Sequence, residues 1–336
     1  GLQTAFCLNR AMQCSRLAHL LWSVPPALVA VFLLVTRLLP RDQKIEAHRF
    51  VFTEVFWLAV PYGLLALVFL ATALRFRRWW LALGSSFALA LAVAAVYARF
   101  VEPERIIVRE SSVTVGAPLR VALIADLHIG LFQGKARTQQ IVDALNRLDV
   151  DVVVVAGDWT YEPRLPLVEL LAPFATCRHR VLSVPGNHDE EMPGPPLAAE
   201  LREALVANRV QPIEGKAVKV KTVSFVGMGD RWAKKDALPA LNAADERYVA
   251  LAHNPDSIDR LQGTPVHTLL AGHTHGGQIN LPVVTAWMLA TATRGGFKQG
   301  LYAIGEKQVF VTSGLGMIGL PLRLFQPPVI DVIQFK

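Results

Sequence analysis

The run "DVVVVAGDW", Asp151 to Trp159, sets five consecutive apolar residues between two aspartates, with a glycine just ahead of the second. A half-buried strand alternates apolar with polar side chains; an unbroken β-branched run predicts a strand covered on both faces. Four further runs have the same character: "RVALIAD" (Arg120 to Asp126), "RVLSVPGNHD" (Arg180 to Asp189), "YVALAHN" (Tyr248 to Asn254) and "HTLLAGHTH" (His267 to His275). Between them, Thr138 to Arg147 and Leu197 to Asn208 have the spacing of surface helices. "KAVKVKTVSFVGMGD" alternates with period two, as a half-buried strand pair does, and "QVFVTSG" and "PPVIDVIQF" add strands near the end. The pattern predicts an α/β domain layered around central sheets. "GLGMIG", Gly314 to Gly319, fits a dinucleotide fingerprint, but Pro321 and the lack of a following helix make it a glycine-rich loop instead.

The apolar fraction of the 336 residues is 52%, above that of most soluble enzymes. The excess sits in the first hundred residues, in Leu17 to Thr36, Phe50 to Leu74 and Trp79 to Ala98. Each run approaches the ~20 residues that a helix needs to cross a bilayer. Arg37 and "LLPRD" stand where a secretory signal would have its small-residue cleavage site. Pro25, Pro26 and Pro61 would break soluble helices but are tolerated in membrane ones. The reading is a three-helix anchor over residues 1–99, with Trp22, Trp57, Trp79, Trp80 and Tyr97 at the interfaces. One or two spans plus a buried soluble helix is the alternative. A charged linker follows over 100–112, and a catalytic domain occupies 113–336.

The net charge of +7 belongs mostly to the anchor. Residues 1–111 carry 12 Lys and Arg against 6 Asp and Glu, and residues 112–336 carry 22 against 21. That distribution suits anionic headgroups and argues against nucleic acid as a partner. With three spans, seven Lys and Arg lie on the side of the large domain and five on the other. The positive-inside rule then leans toward a cytoplasmic large domain. Cys7, Cys14 and Cys177 form neither a disulfide framework nor a metal-binding pair.

All five buried-type strands end in groups that can ligate metal: Asp126 and His128, Asp158, Asn187 and His188, His253, then His273 and His275. In an open α/β sheet, ligands bind beyond the carboxyl ends of the strands. Any one of these residues alone would be a cap, a turn residue or an ordinary histidine, as His19, His48, His179 and His267 are read here. Their conjunction predicts a shared site.

The motifs "DLH", "GD", "GNHD", "H" and "GHTH", complete and in order over about Val113 to Lys336, resemble the calcineurin-like metallophosphoesterase superfamily. "GHTHGGQ" and the late "LPLRLFQPP" resemble its membrane-associated bacterial phosphodiesterase branch. The resemblance implies an αββα sandwich and two divalent metal ions. One would be held by Asp126, His128, Asp158 and His275; the other by Asp158, Asn187, His253 and His273. It also implies that His188 touches the substrate. A mixed nitrogen and oxygen donor set suits Mn, taken first, or Fe, Zn or Ni, over Mg and Ca. His188 is the expected general acid; Asp189 either orients it or is an exposed loop acid beside Glu190 and Glu191.

The apolar segments Leu281 to Phe297 and Gly314 to Phe325 read as loops bordering the cleft, either core, an acyl groove or a membrane-facing lip. With the anchor, they favour a lipid-linked phosphodiester or pyrophosphate, with membrane lipids as partners. The resemblance makes a UDP-2,3-diacylglucosamine pyrophosphatase in a bacterial inner membrane the concrete candidate. Arg294, Lys298 and Arg323 are candidate phosphate or headgroup contacts, or simply solvated charges. A tethered phosphodiesterase for soluble substrates is the alternative. A non-catalytic metal-bearing scaffold would normally have lost a ligand or His188, and this chain keeps both.

Overall fold

A computed structural model describes residues 55–191, 194–241 and 247–336, together with isolated positions between 31 and 47. The chain divides into two compact units, Gly1–Arg99 and Phe100–Lys336.

In the first unit, α1 (Ala59–Arg75) and α2 (Trp79–Val96) form a hairpin. Its buried residues are small: Gly63, Ala66 and Ala73 on α1, and Ala82, Ser85, Ala88 and Ala92 on α2. A Cβ added at Gly63 would lie 3.1 Å from that of Ala92. Large residues such as Leu64, Val68, Leu83, Phe87 and Val93 point outward. Small residues within and large apolar ones without is the arrangement of helices packed in lipid. Beyond Val96 the helix runs on through a π turn and a 3-10 turn. Trp79–Glu104, which contains an 18-residue stretch with a mean hydropathy of 2.0, is the one helix among the described residues long and apolar enough to cross a membrane. The expected span Leu17 to Thr36 lies almost wholly outside the described residues, as does the start of the one from Phe50.

The second unit is a sandwich of two six-stranded sheets. Sheet 1 runs β1 (Ile107–Val113), β14 (Val329–Phe335), β2 (Leu119–Ile124), β4 (Val152–Ala156), β6 (Val181–Val184), β7 (Val210–Pro212). Sheet 2 runs β12 (Gly300–Ile304), β13 (Lys307–Val311), β11 (Thr268–Ala271), β10 (Arg247–Leu251), β9 (Val223–Gly227), β8 (Ala217–Val220). The central strands are parallel: β2, β4 and β6 in one sheet, β9, β10, β11 and β13 in the other. A ribbon of β3 (Ile129–Gly130) and β5 (Thr160–Tyr161) lies apart from both.

The unbroken apolar runs follow from this layering. On β2, Val121 and Leu123 enter the core between the sheets, with Phe225, Leu251, Leu270 and Phe310. Ala122 and Ile124 face the other way, against Ile141, Val142 and Leu145 of α3 (Lys135–Leu145) and a shared core with Leu201 and Leu205. Leu201 and Leu205 belong to α5 (Ala198–Ala207), which follows the single-turn α4 (Leu167–Leu170). The far side of sheet 2 is covered more thinly, by Ile258 and Leu261 of a 3-10 segment and by Phe297.

Two expectations are corrected. Residues 107–112 of the expected linker belong to β1, which pairs in parallel with β14 and is tied to it by Arg109 Nε donating to Asp331 at 2.6 Å. As an edge strand exposed along most of its length, β1 needs no apolar face, so its sequence reads as a linker. The segment from Leu281, expected as loop, contains α6 (Pro282–Ala292), opened by proline in the first turn. It is apolar on every side, and so lacks the 3.6-residue periodicity that marks a helix.

Candidate metal centre

The loops leaving the strands turn sharply at the site. Asp126, His128, Asp158, His273 and His275 have φ between 47° and 75°, the left-handed region that non-glycine residues usually avoid. Glycines supply clearance for these turns. A Cβ at Gly272 would lie 2.7 Å from Asp126 Oδ2, and one at Gly186 would collide with Asp158 Oδ1. The two sheets are stitched together here by main-chain donors: His273 N reaches both oxygens of Asp126 at 3.1 Å. Within sheet 1, His188 N donates to Asp158 Oδ1 at 3.0 Å.

The side chains converge in two groups. In the first, His275 Nε2 is 3.0 Å from His128 Nε2 and 3.4 Å from Asp126 Oδ1, and His128 Nε2 is 3.5 Å from Asp158 Oδ2. In the second, His253 Nε2 lies 3.1 Å from each of Asp158 Oδ2, Asn187 Oδ1 and His273 Nδ1. Asp158 Oδ2 therefore faces both groups. All seven residues are buried.

The donor chemistry fits cations. The outer ring nitrogen of His253 is 2.7 Å from Ala156 O and that of His128 is 3.3 Å from Thr160 O. His273 Nε2 is likewise 3.0 Å from Ala292 O. Carbonyls accept only, so these nitrogens carry the protons and the inner ones turn lone pairs into the site. The inner nitrogen of His128 meets that of His275 at 3.0 Å, and a single nitrogen of His253 meets three acceptors. A divalent ion in each group would be met by these inward-facing nitrogen and oxygen atoms. The sets Asp126, His128, His275 and Asp126, Asp158, His253 each bring their ligand atoms within 4.8 Å of one another.

Burial and these close contacts set the charge of each group in the cluster. Burial pushes Asp126 up to about 7, against the pull of His253. Burial also lowers His128 and His273 to about 3 and holds His275 well below the ordinary imidazole value. For His253 burial is outweighed by Asp158, with Asp126 assisting, and it rises to about 10. Asp158 is held well below the carboxylate range: burial opposes this, and His253 and His188 overcome it.

The remaining expected residues fall in different places. His188 is half-buried at the edge of the cluster, its ring 5.2 Å from that of His128 and 5.4 Å from that of Tyr161. Asp189 is neither an exposed acid nor aimed at His188. It is fully buried and accepts from Trp159 N, Thr160 N, Thr160 Oγ1 and Gly186 N, clasping the loop that carries Asp158. Burial raises its carboxyl to about 7, with Asp158 adding and the four donors opposing. Arg323 is not a substrate contact. It is fully buried and donates to Gly316 O in the glycine-rich loop and to Ser313 O and Gln326 O on either side of it, three carbonyls that need a donor there. Arg294 is exposed, and Lys298 Nζ donates to Asn280 Oδ1 at 2.7 Å.

Sequence reasoning missed Asp230. It follows β9 and is fully buried; Oδ2 takes Ala233 N at 2.8 Å, while Oδ1 has no hydrogen-bond partner. Burial raises its carboxyl, against the pull of nearby His253. The signal was present in "VGMGD", which repeats the strand, glycine and acid order of "VVAGD". Trp232, two residues on, sets its ring edge-on to His273 at 4.7 Å.

Comparison with known proteins agrees with this geometry. Residues 119–277 match the calcineurin-like phosphoesterase family. The chain is 28% identical over 230 residues to Phosphodiesterase YaeI of Escherichia coli, covering 65% of this chain and 82% of that protein. It is 27% identical over 265 residues to the metallophosphoesterase YkuE of Bacillus subtilis, covering 71% and 89%. A Danio rerio protein named as a transmembrane protein with a metallophosphoesterase domain is 29% identical over 237 residues, covering 65% of this chain and 53% of that one. Five strand ends that bring carboxylates and imidazoles into one buried cluster, and these likenesses, lead to one conclusion: the chain carries a calcineurin-like metallophosphoesterase domain, that of a metal-dependent phosphoester hydrolase.

Proposed function

We propose that the protein is a membrane-anchored phosphohydrolase that uses two divalent ions, Mn in the first instance, to cleave a phosphodiester or pyrophosphate bond in a lipid-linked substrate. The observation that carries the hydrolytic part is Asp158 Oδ2, placed between His128 and His253 where one carboxylate can serve two ions. Asp126, His128 and His275 would complete the first ion's shell, and Asn187, His253 and His273 the second's. Bound there, the ions supply Lewis acidity to a nucleophilic water and to the phosphoryl oxygens. His188, on the open side of the cluster, protonates the leaving oxygen. Asp189 keeps the Asp158 loop in place.

The lipid part is supported by the helix Trp79–Glu104 and by α6, an exposed apolar helix whose last residue, Ala292, has its carbonyl 3.0 Å from His273 Nε2. We assign residues 1–99 as an anchor of about three helices in a bacterial inner membrane, with the catalytic domain on the cytoplasmic side. The charge balance across the runs supports that orientation. A UDP-2,3-diacylglucosamine-type pyrophosphate is the candidate substrate. The test is turnover by the full-length, Mn-loaded protein in detergent, comparing that lipid with a soluble aryl phosphodiester. Preference of tenfold or more for the lipid is expected. Equal turnover would leave a phosphodiesterase whose anchor is merely an address, and no metal-dependent turnover of either would overturn the hydrolase.

A further inference from the structure

We propose that α6 and the segment 318–325 form one plate that docks into the interfacial layer of the lipid bilayer, setting the metal centre at the membrane surface. The inference rests on the membrane-anchored reading above and adds a second, peripheral membrane contact made by the catalytic unit itself.

The helix α6 has no charged residue over its 11 positions, and Thr285 is its single buried side chain. Val283 is 83% exposed and Trp287 68%, and Phe325 in the neighbouring segment is 62% exposed. An 11-residue helix is too short to span a bilayer, but it can lie in the interface, where tryptophan is favoured. The two segments are fastened together. Gln278 Nε2 donates to Ile318 O and Leu320 O at 3.0 and 2.9 Å, and its Oε1 accepts from Ile318 N at 2.8 Å. Asn280 Nδ2 donates to Phe325 O at 3.2 Å, while its Oδ1 accepts from Lys298. These bonds hold the apolar side chains on a common support and keep a cation beside them for headgroups.

What identifies lipid as the occupant is the route of the chain. Glu102 belongs to the apolar helix Trp79–Glu104, three residues past the end of the first unit, and is 1% exposed. Its carboxylate accepts from Phe325 N at 2.8 Å and Gln326 N at 2.5 Å. Glu102, the third residue after the first unit, is thus tied to the backbone of the plate beside the exposed Phe325, so chain connectivity alone keeps the plate within a few residues of the apolar helix. The plate is also joined to the metal centre, since Ala292 closes α6 against His273 and Gln278 lies three residues beyond His275.

The test uses the full chain reconstituted into vesicles of phosphatidylethanolamine and phosphatidylglycerol. An environment-sensitive fluorophore is attached at Val283→Cys, Trp287→Cys or Phe325→Cys, with the native cysteines replaced by alanine. Val206→Cys on α5, also exposed, is the control. Blue-shifted emission at the three rim positions, quenched several-fold more by nitroxide lipids than the control, is expected. Solvent-like emission at all three would overturn the proposal, and three sites guard against one variant failing to fold. Rim quenching without a preference for the lipid substrate leaves this inference standing and removes the substrate reading. Lipid preference without rim quenching does the reverse. Failure of the protein to incorporate into vesicles would overturn the anchor and the plate together.

Discussion

Oδ2 of Asp158 stands 3.1 Å from Nε2 of His253, and both side chains are buried. A second proton, on Nε2, would give His253 the positive charge that a bound metal ion otherwise supplies. Burial alone would lower His253, but Asp158 and Asp126 lift it from 6.5 to about 10. A folded value above the unfolded one means that this proton stabilises the metal-free fold fully below pH 6.5 and ceases to do so as the pH rises through 10. Metal must displace the proton, so apparent affinity should rise about tenfold per pH unit for each proton released. Chelator-competition titrations from pH 6 to pH 8 read this slope directly, and a flat profile would show that His253 is already neutral.

His188 sits outside the ligand cluster, so removing its ring should separate chemistry from metal binding. His188→Ala should lower kcat by about 10²- to 10⁴-fold. Metal content by elemental analysis should remain at the wild-type level. Loss of metal along with activity would instead make His188 part of the binding site.

Asp189 answers four donors around the Asp158 loop. Asp189→Ala strands buried N–H groups and should cost about 3 kcal/mol, seen as a lower apparent melting temperature of the detergent-solubilised chain. Asp189→Asn keeps one acceptor oxygen and should lose less. The pH profile of the surviving activity should match that of the wild type, because Asp189 takes no part in proton transfer; a displaced profile would restore a role beside His188.

Gly272 has no room for a methyl group beside Asp126. Gly272→Ala should push that carboxylate aside and weaken metal binding by tenfold or more, about the 1–3 kcal/mol of an overpacked site. Wild-type affinity in this variant would show that the loop can yield without moving the ligand.

The buried strands and the residues of the candidate metal cluster were legible for a common reason. A strand buried on both faces must be apolar along its whole length, and its carboxyl end must then carry whatever polar groups the site requires. The "DLH", "AGD", "GNHD", "AHN" and "GHTH" ends thus announced both the sheets and the residues that converge. Elements outside that rule were obscure. β1, exposed at an edge, kept the charged composition of a linker, and α6, apolar all round, kept no periodicity. Side-chain roles set by packing were also invisible: Arg323 looked like a surface cation and serves buried carbonyls. Asp189 looked like a partner for its neighbour in sequence and bonds a loop 30 residues away.

Five of the candidate ligands hold left-handed backbone angles. Each such residue costs on the order of 1–3 kcal/mol, a load that the packed sheets carry whether or not metal is present. The cluster is therefore a spring kept under tension by the rest of the domain, and disarming it should make the protein tougher. His128→Gly, inactive by design, should melt at a higher temperature than the metal-free wild type, because glycine adopts that angle without strain; Asp126→Gly should not, since it also strands His273 N. A cell that needed only the scaffold would be better served by losing the site, so keeping it reflects work done there rather than the demands of the fold.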